Sequence, residues 1–189
     1  MGKKNILKFL PFLSIFYSNL IYFSKYYFFR KELQKNEALK DNFKGKRCFI
    51  IGNGPSLKGQ NLNLLSKEYT FTVNSMIETE EFDLISPSYH VMVDSSRFDG
   101  SSEVFEKTIK NLAKKGKNTK FIFPVKFKDR INSKGIEIIY ILQDTRNFLI
   151  RDIDLSRGIP QFQNVINVAL YSAIYMGFSE IYLLGCDMT

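Results

Sequence analysis

The clearest chemical signal in this sequence is the run Gly52-Asn53-Gly54-Pro55-Ser56. It follows Cys48-Phe49-Ile50-Ile51, a short apolar run that reads as a buried parallel strand ended by glycine. Two glycines let the backbone bend sharply and approach a ligand with no Cβ in the way. Pro55 suits the first turn of a helix, where its missing N–H costs nothing. Ser56 adds a hydroxyl beside free amides at a positive helix end. The expectation is an anion cradle in which backbone amides converge on a phosphate. An ordinary tight turn that starts a helix has the same spacing. The run has no Gly-Lys-Ser/Thr, so it is not a Walker A loop, and Pro55 breaks the dinucleotide fingerprint. Asn53, between the glycines, can reach a ribose or phosphate through its amide.

Other strand ends add polar groups to the same rim. Val73-Asn74-Ser75 closes a second apolar run, and its amide can read a base or ribose or simply cap a loop. Asp94-Ser95-Ser96-Arg97 closes a third, placing Asp94 to hold a ribose hydroxyl, a metal or the acceptor. An Asx-turn has the same appearance. In Ser156-Arg157-Gly158-Ile159-Pro160-Gln161-Phe162-Gln163-Asn164, Arg157 can pair with phosphate, and Gln163 and Asn164 can face it from a helix N-terminus. A capping loop is the alternative. Gly185-Cys186-Asp187 ends the last apolar run and sets Asp187 on the rim. His90, the sole histidine, lies inside a strand rather than at its end, so it is expected to be a core imidazole and not a base. Cys48 and Cys186 fit core packing in a reducing compartment and make no zinc site. No catalytic residue and no metal ligand is assigned.

The elements that must position these groups alternate between strand and helix. Strands are predicted over 48–51, 70–73, 89–93, 121–123, 136–142 and 181–184. Helices are predicted over 101–115, with Val104, Phe105, Ile109 and Leu112 inward, and over 165–176, closed by Gly177. Alternation of this kind predicts an α/β, Rossmann-like fold, with a mostly parallel sheet covered by helices. In such sheets ligands bind beyond the carboxyl ends of the strands.

The first thirty residues form an apolar, amphipathic helical segment of different character. Phe9 to Ser24 carries no charge, with Lys3, Lys4 and Lys8 before it and Lys25 and Arg30 after. It is short for a span, is interrupted by Pro11 and Asn19, and lacks a signal-peptide cleavage site. Aromatic and basic content suits the membrane interface, and the alternatives are a helix packed on the protein's own core or on a partner, or a true span. The division expected is a membrane-interface segment over 1–30, a charged helix and linker over 31–46, and a nucleotide-binding domain over 47–189. With 27 basic and 19 acidic residues the net charge is +8, which favours anionic partners. Lys114, Lys115, Lys117, Lys120, Lys126, Lys128 and Arg130 read as a solvated face, or alternatively a lipid contact. No aromatic platform interleaves with basic residues at the loops, so nucleic acid is not an expected partner.

Together, Gly52 to Leu57, Val73-Asn74 and Tyr175 to Asp187 resemble two related bacterial groups over roughly residues 45–189. One is the sialyltransferases of glycosyltransferase family 42. The other is the MptE-like domain named for 6-hydroxymethylpterin diphosphokinase, found in surface-polysaccharide loci. The first resemblance implies that Asn53 and Ser56 meet the phosphate and ribose of a CMP-sugar, that Asn74 meets the nucleotide, and that no metal is needed. Asp94 would stand where the family has an asparagine. Gln163-Asn164-Val165 departs from the small residues found there in that family, and its lid with a catalytic histidine and tyrosines would follow Thr189, so the chain is expected to be truncated. The second resemblance implies diphosphate transfer from ATP with Mg²⁺ on Asp94 and Asp187. The function expected is a nucleotide-sugar-dependent glycosyltransferase of surface glycan assembly, acting on a glycan or lipid-linked acceptor. It would be cytoplasmic and peripheral to the inner face of the cell membrane. The alternatives are the diphosphokinase and a non-catalytic nucleotide-binding module.

Overall fold

A computed structural model describes residues 3–131, 135–144 and 153–187, with side chains from Ile15 onward. The side chains of Lys3, Lys4 and Lys8 therefore lie outside the described set. In chain order the strands are β1 (Arg47–Ile51), β2 (Tyr69–Val73), β3 (Tyr89–Val91), β4 (Lys120–Pro124), β5 (Glu137–Ile141), β6 (Gln143–Asp144), β7 (Ile159–Pro160) and β8 (Glu180–Leu184). The helices are α1 (Lys3–Gln34), α2 (Glu80–Ile85), α3 (Glu103–Lys115) and α4 (Val165–Tyr175). Six strands form one sheet in the order β5-β4-β3-β2-β1-β8, and each pairing in it is parallel. The α/β expectation holds.

Successive strand residues point to opposite faces, and both faces of β1 to β5 are covered, which is why these strands read as unbroken apolar runs. The edge strand β8, by contrast, leaves Tyr182 and Leu183 exposed. Ile51, Phe121 and Phe123 face one way, onto Leu62, Ile77, Phe82, Phe98 and Leu112 of the β1-to-β5 crossovers. Ile50, Phe71, Val91 and Ile122 face the other way, onto Val168, Ala169 and Ala173 of α4. The small side chains of α4 let it lie close against the sheet. Asn164 starts it by accepting a hydrogen bond from the Ile166 amide at 2.8 Å. Gly177 follows its end at φ +87°, where an added Cβ would come within 2.8 Å of the Asp41 Cα. In α3, Leu112 is buried and Phe105 and Ile109 are half-buried. Val104 is exposed, contrary to expectation.

At the amino ends of β2 and β3 lies an aromatic cluster. Phe43 stacks on Phe178 at 4.5 Å between ring centroids and meets Tyr69 edge-on at 4.8 Å. Phe71 stacks on Tyr89 at 4.6 Å.

Helix α1 runs through residue 30 without a break, so the boundary expected there falls inside one helix. Its carboxyl-terminal part packs along the β5 side of the sheet, with Leu33 buried against Val125 and Leu142, and Tyr22, Tyr26 and Phe29 beside them. Asn36, 2% exposed, fixes this contact. Its Nδ2 donates to the Tyr140 carbonyl at 2.8 Å and to the Leu155 carbonyl at 2.9 Å. Lys128 pairs with Glu32 of α1 at 2.8 Å. Several of the grouped basic residues have partners of their own: Lys115 pairs with Asp83, Lys120 with Glu137, and Arg130 donates to the Phe98 and Asp99 carbonyls.

Asn36→Ala leaves two carbonyls of the β5 region without their donor. The expected loss is about 2 kcal/mol of unfolding free energy, read from urea denaturation. A loss under about 0.5 kcal/mol would show that α1 is not anchored there.

Candidate functional site

The chain builds the sheet outward from β1 to β5 and then returns to place β8 on the other side of β1. The strand order therefore reverses between β1 and β8, and the rim there is where an α/β sheet offers a crevice. Two turns meet at this point, 52–56 after β1 and 185–187 after β8. They close on each other. The Gly52 amide donates to the Leu184 carbonyl at 2.8 Å, the Gly54 amide to the Gly185 carbonyl at 2.8 Å, and the Leu57 amide to the Gly54 carbonyl at 3.1 Å. The Ser56 amide donates to Asp187 Oδ2 at 2.9 Å.

This corrects the expected phosphate cradle. A Cβ on Gly52 would collide with the Gly185 carbonyl, and one on Gly54 with the Asp187 carboxylate. The glycines admit the chain's own neighbouring turn. Pro55 does start a helical turn, but it is the three-residue 3-10 turn Pro55–Leu57, too short for a useful dipole. The anion held at Ser56 is Asp187 itself. Hydrogen bonds from the Ser56 amide and then its hydroxyl hold that carboxyl below its usual range, against a small opposing effect of burial.

Beside this interlock, at the ends of β1 and β2, the rim is polar. Asn53 Nδ2 donates to Ser75 Oγ at 2.8 Å, which leaves its Oδ1 as an acceptor. Asn74 sits at φ +44°, a left-handed conformation that non-glycine residues rarely take. Its Oδ1 is buried with no partner. Its main-chain carbonyl accepts from His90 Nε2 at 3.2 Å, while His90 Nδ1 lies 2.7 Å from Thr72 Oγ1. With Nε2 protonated toward the carbonyl, Nδ1 accepts from the threonine hydroxyl. Full burial pushes the His90 pKa down to about 3, outweighing the opposing Asn74 bond. His90 is a neutral core imidazole, as expected.

Asp94 Oδ1 accepts from the Ser96 amide at 3.0 Å, the Asx-type cap foreseen as its alternative role. Ser75 and Arg97 belong to this region, although the sequence reading assigned them nothing. Arg97 is 8% exposed, donates from Nη1 to Glu78 Oε1 at 2.7 Å, and has a buried Nε with no partner. Only its position just after a strand end hinted at a role.

Two expected participants are placed differently. Arg157 is exposed at the β5 edge, 3.5 Å from Asp154, four strand spacings or about 19 Å from β1. It does not join the Asn53–Asn74 rim. Asn164 caps α4, and its oxygen is taken by the Ile166 amide. Helix α4 covers β1, β2 and β3, so Asn164 and the exposed Gln163 open toward the same rim. Asp94 and Asp187 follow β3 and β8, three strand spacings or about 14 Å apart, too far to share one ion. Among the described residues, no group of three or more His, Cys, Asp or Glu side chains is placed to hold a metal.

A family model described as 6-hydroxymethylpterin diphosphokinase MptE-like matches residues 22–189. No curated protein matches the chain.

Two outcomes test the site geometry. Because the Asp187 pKa is depressed in the folded state, its stabilising bond to Ser56 is present above the ordinary carboxylate range and lost as pH falls through the folded value. Asp187→Asn should therefore be less stable than wild type near neutrality, and the two melting curves should converge in acid. A gap that stays constant with pH would mean the carboxylate charge plays no part. His90, followed by NMR as the sole histidine, should not titrate between about pH 5 and pH 8. A midpoint inside that window would contradict the buried pairing.

Proposed function

We propose, for a chain that belongs to the 6-hydroxymethylpterin diphosphokinase MptE-like family, that the carboxyl rim binds a nucleotide-linked sugar and that the protein transfers its glycosyl group in bacterial surface glycan assembly. One observation carries this reading. Asn74 combines a left-handed backbone with a buried, unpartnered amide oxygen at the rim. The strain costs about 1–2 kcal/mol and the lone acceptor about 1–3 kcal/mol. Such features concentrate where a ligand completes the bonding.

The groups around Asn74 favour the donor hydroxyls of a ribose and a sugar over a bare phosphate. Asn53 Oδ1, Asn74 Oδ1 and the second oxygen of Asp94 all accept, and a hydroxyl or exocyclic amine donates. Arg97 Nε is the nearby donor for a negatively charged portion of the ligand. Phosphoryl transfer needs dense positive charge around the transferred group. The separated carboxylates Asp94 and Asp187 favour glycosyl transfer over the diphosphate transfer of the family's namesake. We assign the residues named here to binding and name no general base, His90 being sealed in the core.

Asn74→Gly separates function from stability. Glycine adopts φ +44° without strain and removes the lone oxygen, so the variant should unfold at a higher urea concentration than wild type. On the folded protein, calorimetry should show CMP binding without Mg²⁺, with affinity at least about tenfold weaker in the variant. Binding of ATP only with Mg²⁺ would instead support diphosphate transfer. Failure of both nucleotides would leave a scaffold without a nucleotide role.

A further inference from the structure

The geometry points to the outward face of α1 as a docking surface for an anionic lipid bilayer. Helix α1 is apolar on two opposed sides. Tyr22, Tyr26, Phe29 and Leu33 share an arc of about 60° at 100° per residue and pack on the protein. Opposite them, Phe16, Tyr17, Leu20, Ile21, Phe23, Tyr27 and Phe28 are exposed. These fill an arc of about 160° along roughly 18 Å of helix. A water-soluble face is polar, and an apolar patch of this size marks a surface that something covers.

Charge identifies what covers it. Residues 1–31 contain six Lys and Arg and no Asp or Glu. Lys25 borders the apolar arc on one side, Arg30 on the other, and Lys31 stands at its end; all three are exposed. The first acid, Glu32, is engaged by Lys128. An aromatic stripe framed by cations alone matches acyl chains below and anionic headgroups beside it. Among the described residues, no helix is long and apolar enough to cross a membrane, so the fit is to the surface.

The helix also has a fixed direction. Asn36 is level with Tyr140 within β5. Lys25 and Phe29 line a cavity of about 150 Å³ with Pro124, Ile141, Leu142 and Gln143, at the carboxyl ends of β4 and β5. The Tyr22 hydroxyl donates to the Arg157 carbonyl at 2.9 Å. The helix therefore runs antiparallel to β5, and a bilayer on the outer stripe lies alongside the β5 edge of the sheet.

The test uses the full chain and sedimentation with phosphatidylcholine vesicles, with and without phosphatidylglycerol. Binding should require the anionic lipid and weaken with salt. The combined variant Phe16→Glu, Leu20→Glu, Phe23→Glu should lose at least about tenfold in partitioning. Reversing Lys25, Arg30 and Lys31 to Glu should also reduce it, by about fivefold or more. Each variant should keep the wild-type urea midpoint, since none of these side chains is buried. Binding that ignores lipid charge, or is unchanged in both variants, overturns the proposal. So does a wild-type dimer in sedimentation velocity that the apolar variant dissociates, because a second copy would then cover the stripe. CMP binding should be unaffected, which keeps this outcome distinct from that of the nucleotide site.

Discussion

The arrangement rests on the contact between two backbone turns separated by about 130 residues of chain. The turn after β1 and the turn after β8 approach so closely that neither Gly52 nor Gly54 can carry a side chain. Four amides of the first turn find partners there or within the turn itself. Parallel strands cannot be joined by a hairpin, so β8 reaches β1 only after the long crossover through α4. The interlock secures that final pairing and fixes where the polar rim begins. It also gives Asp187 a place that a phosphate would otherwise suit, and leaves the side chains of Asn53 and Asn74 outside the interlock, at the ends of β1 and β2.

Much of the fold was legible because a parallel sheet covered on both faces imposes a simple pattern. Cys48 to Ile51 and Phe121 to Phe123 are short apolar runs with no alternation, and each lies within an observed strand. Ile181 to Leu184 also lies within one, although at the sheet edge its Tyr182 and Leu183 are exposed. Helix α4 was legible from its apolar content and from Gly177. The 3-10 turns in the early crossovers were not, because such turns are short and lack a distinctive period. The continuity of α1 past residue 30 was also hidden. A change from apolar to charged composition looks like a boundary in sequence, yet a helix can carry both characters when its faces meet different surroundings.

The candidate site was legible by position along the rim and not by bonding. The rule that loops at strand ends carry the site placed Asn53, Asn74, Asp94 and Asp187 on the rim. The sequence could not say which polar groups were already engaged. Ser56 and Asp187 appeared as two separate candidates and turn out to satisfy each other. Arg157, credited by its charge, lies at the far edge, because a loop's neighbours depend on strand order and not on chain order. The strain at Asn74 has no sequence signature, since asparagine is ordinary at a strand end and only its dihedral angle sets it apart.

The aromatic cluster around Phe43, Phe178, Tyr69 and Tyr89 has a consequence for motion. It clamps the strands at their amino ends, opposite the rim, with stacked and edge-on rings that resist sliding. The rings tie β2 and β3 to the segments around Phe43 and Phe178 at the end of the sheet away from the rim, so a shift of either strand there has to break stacked contacts.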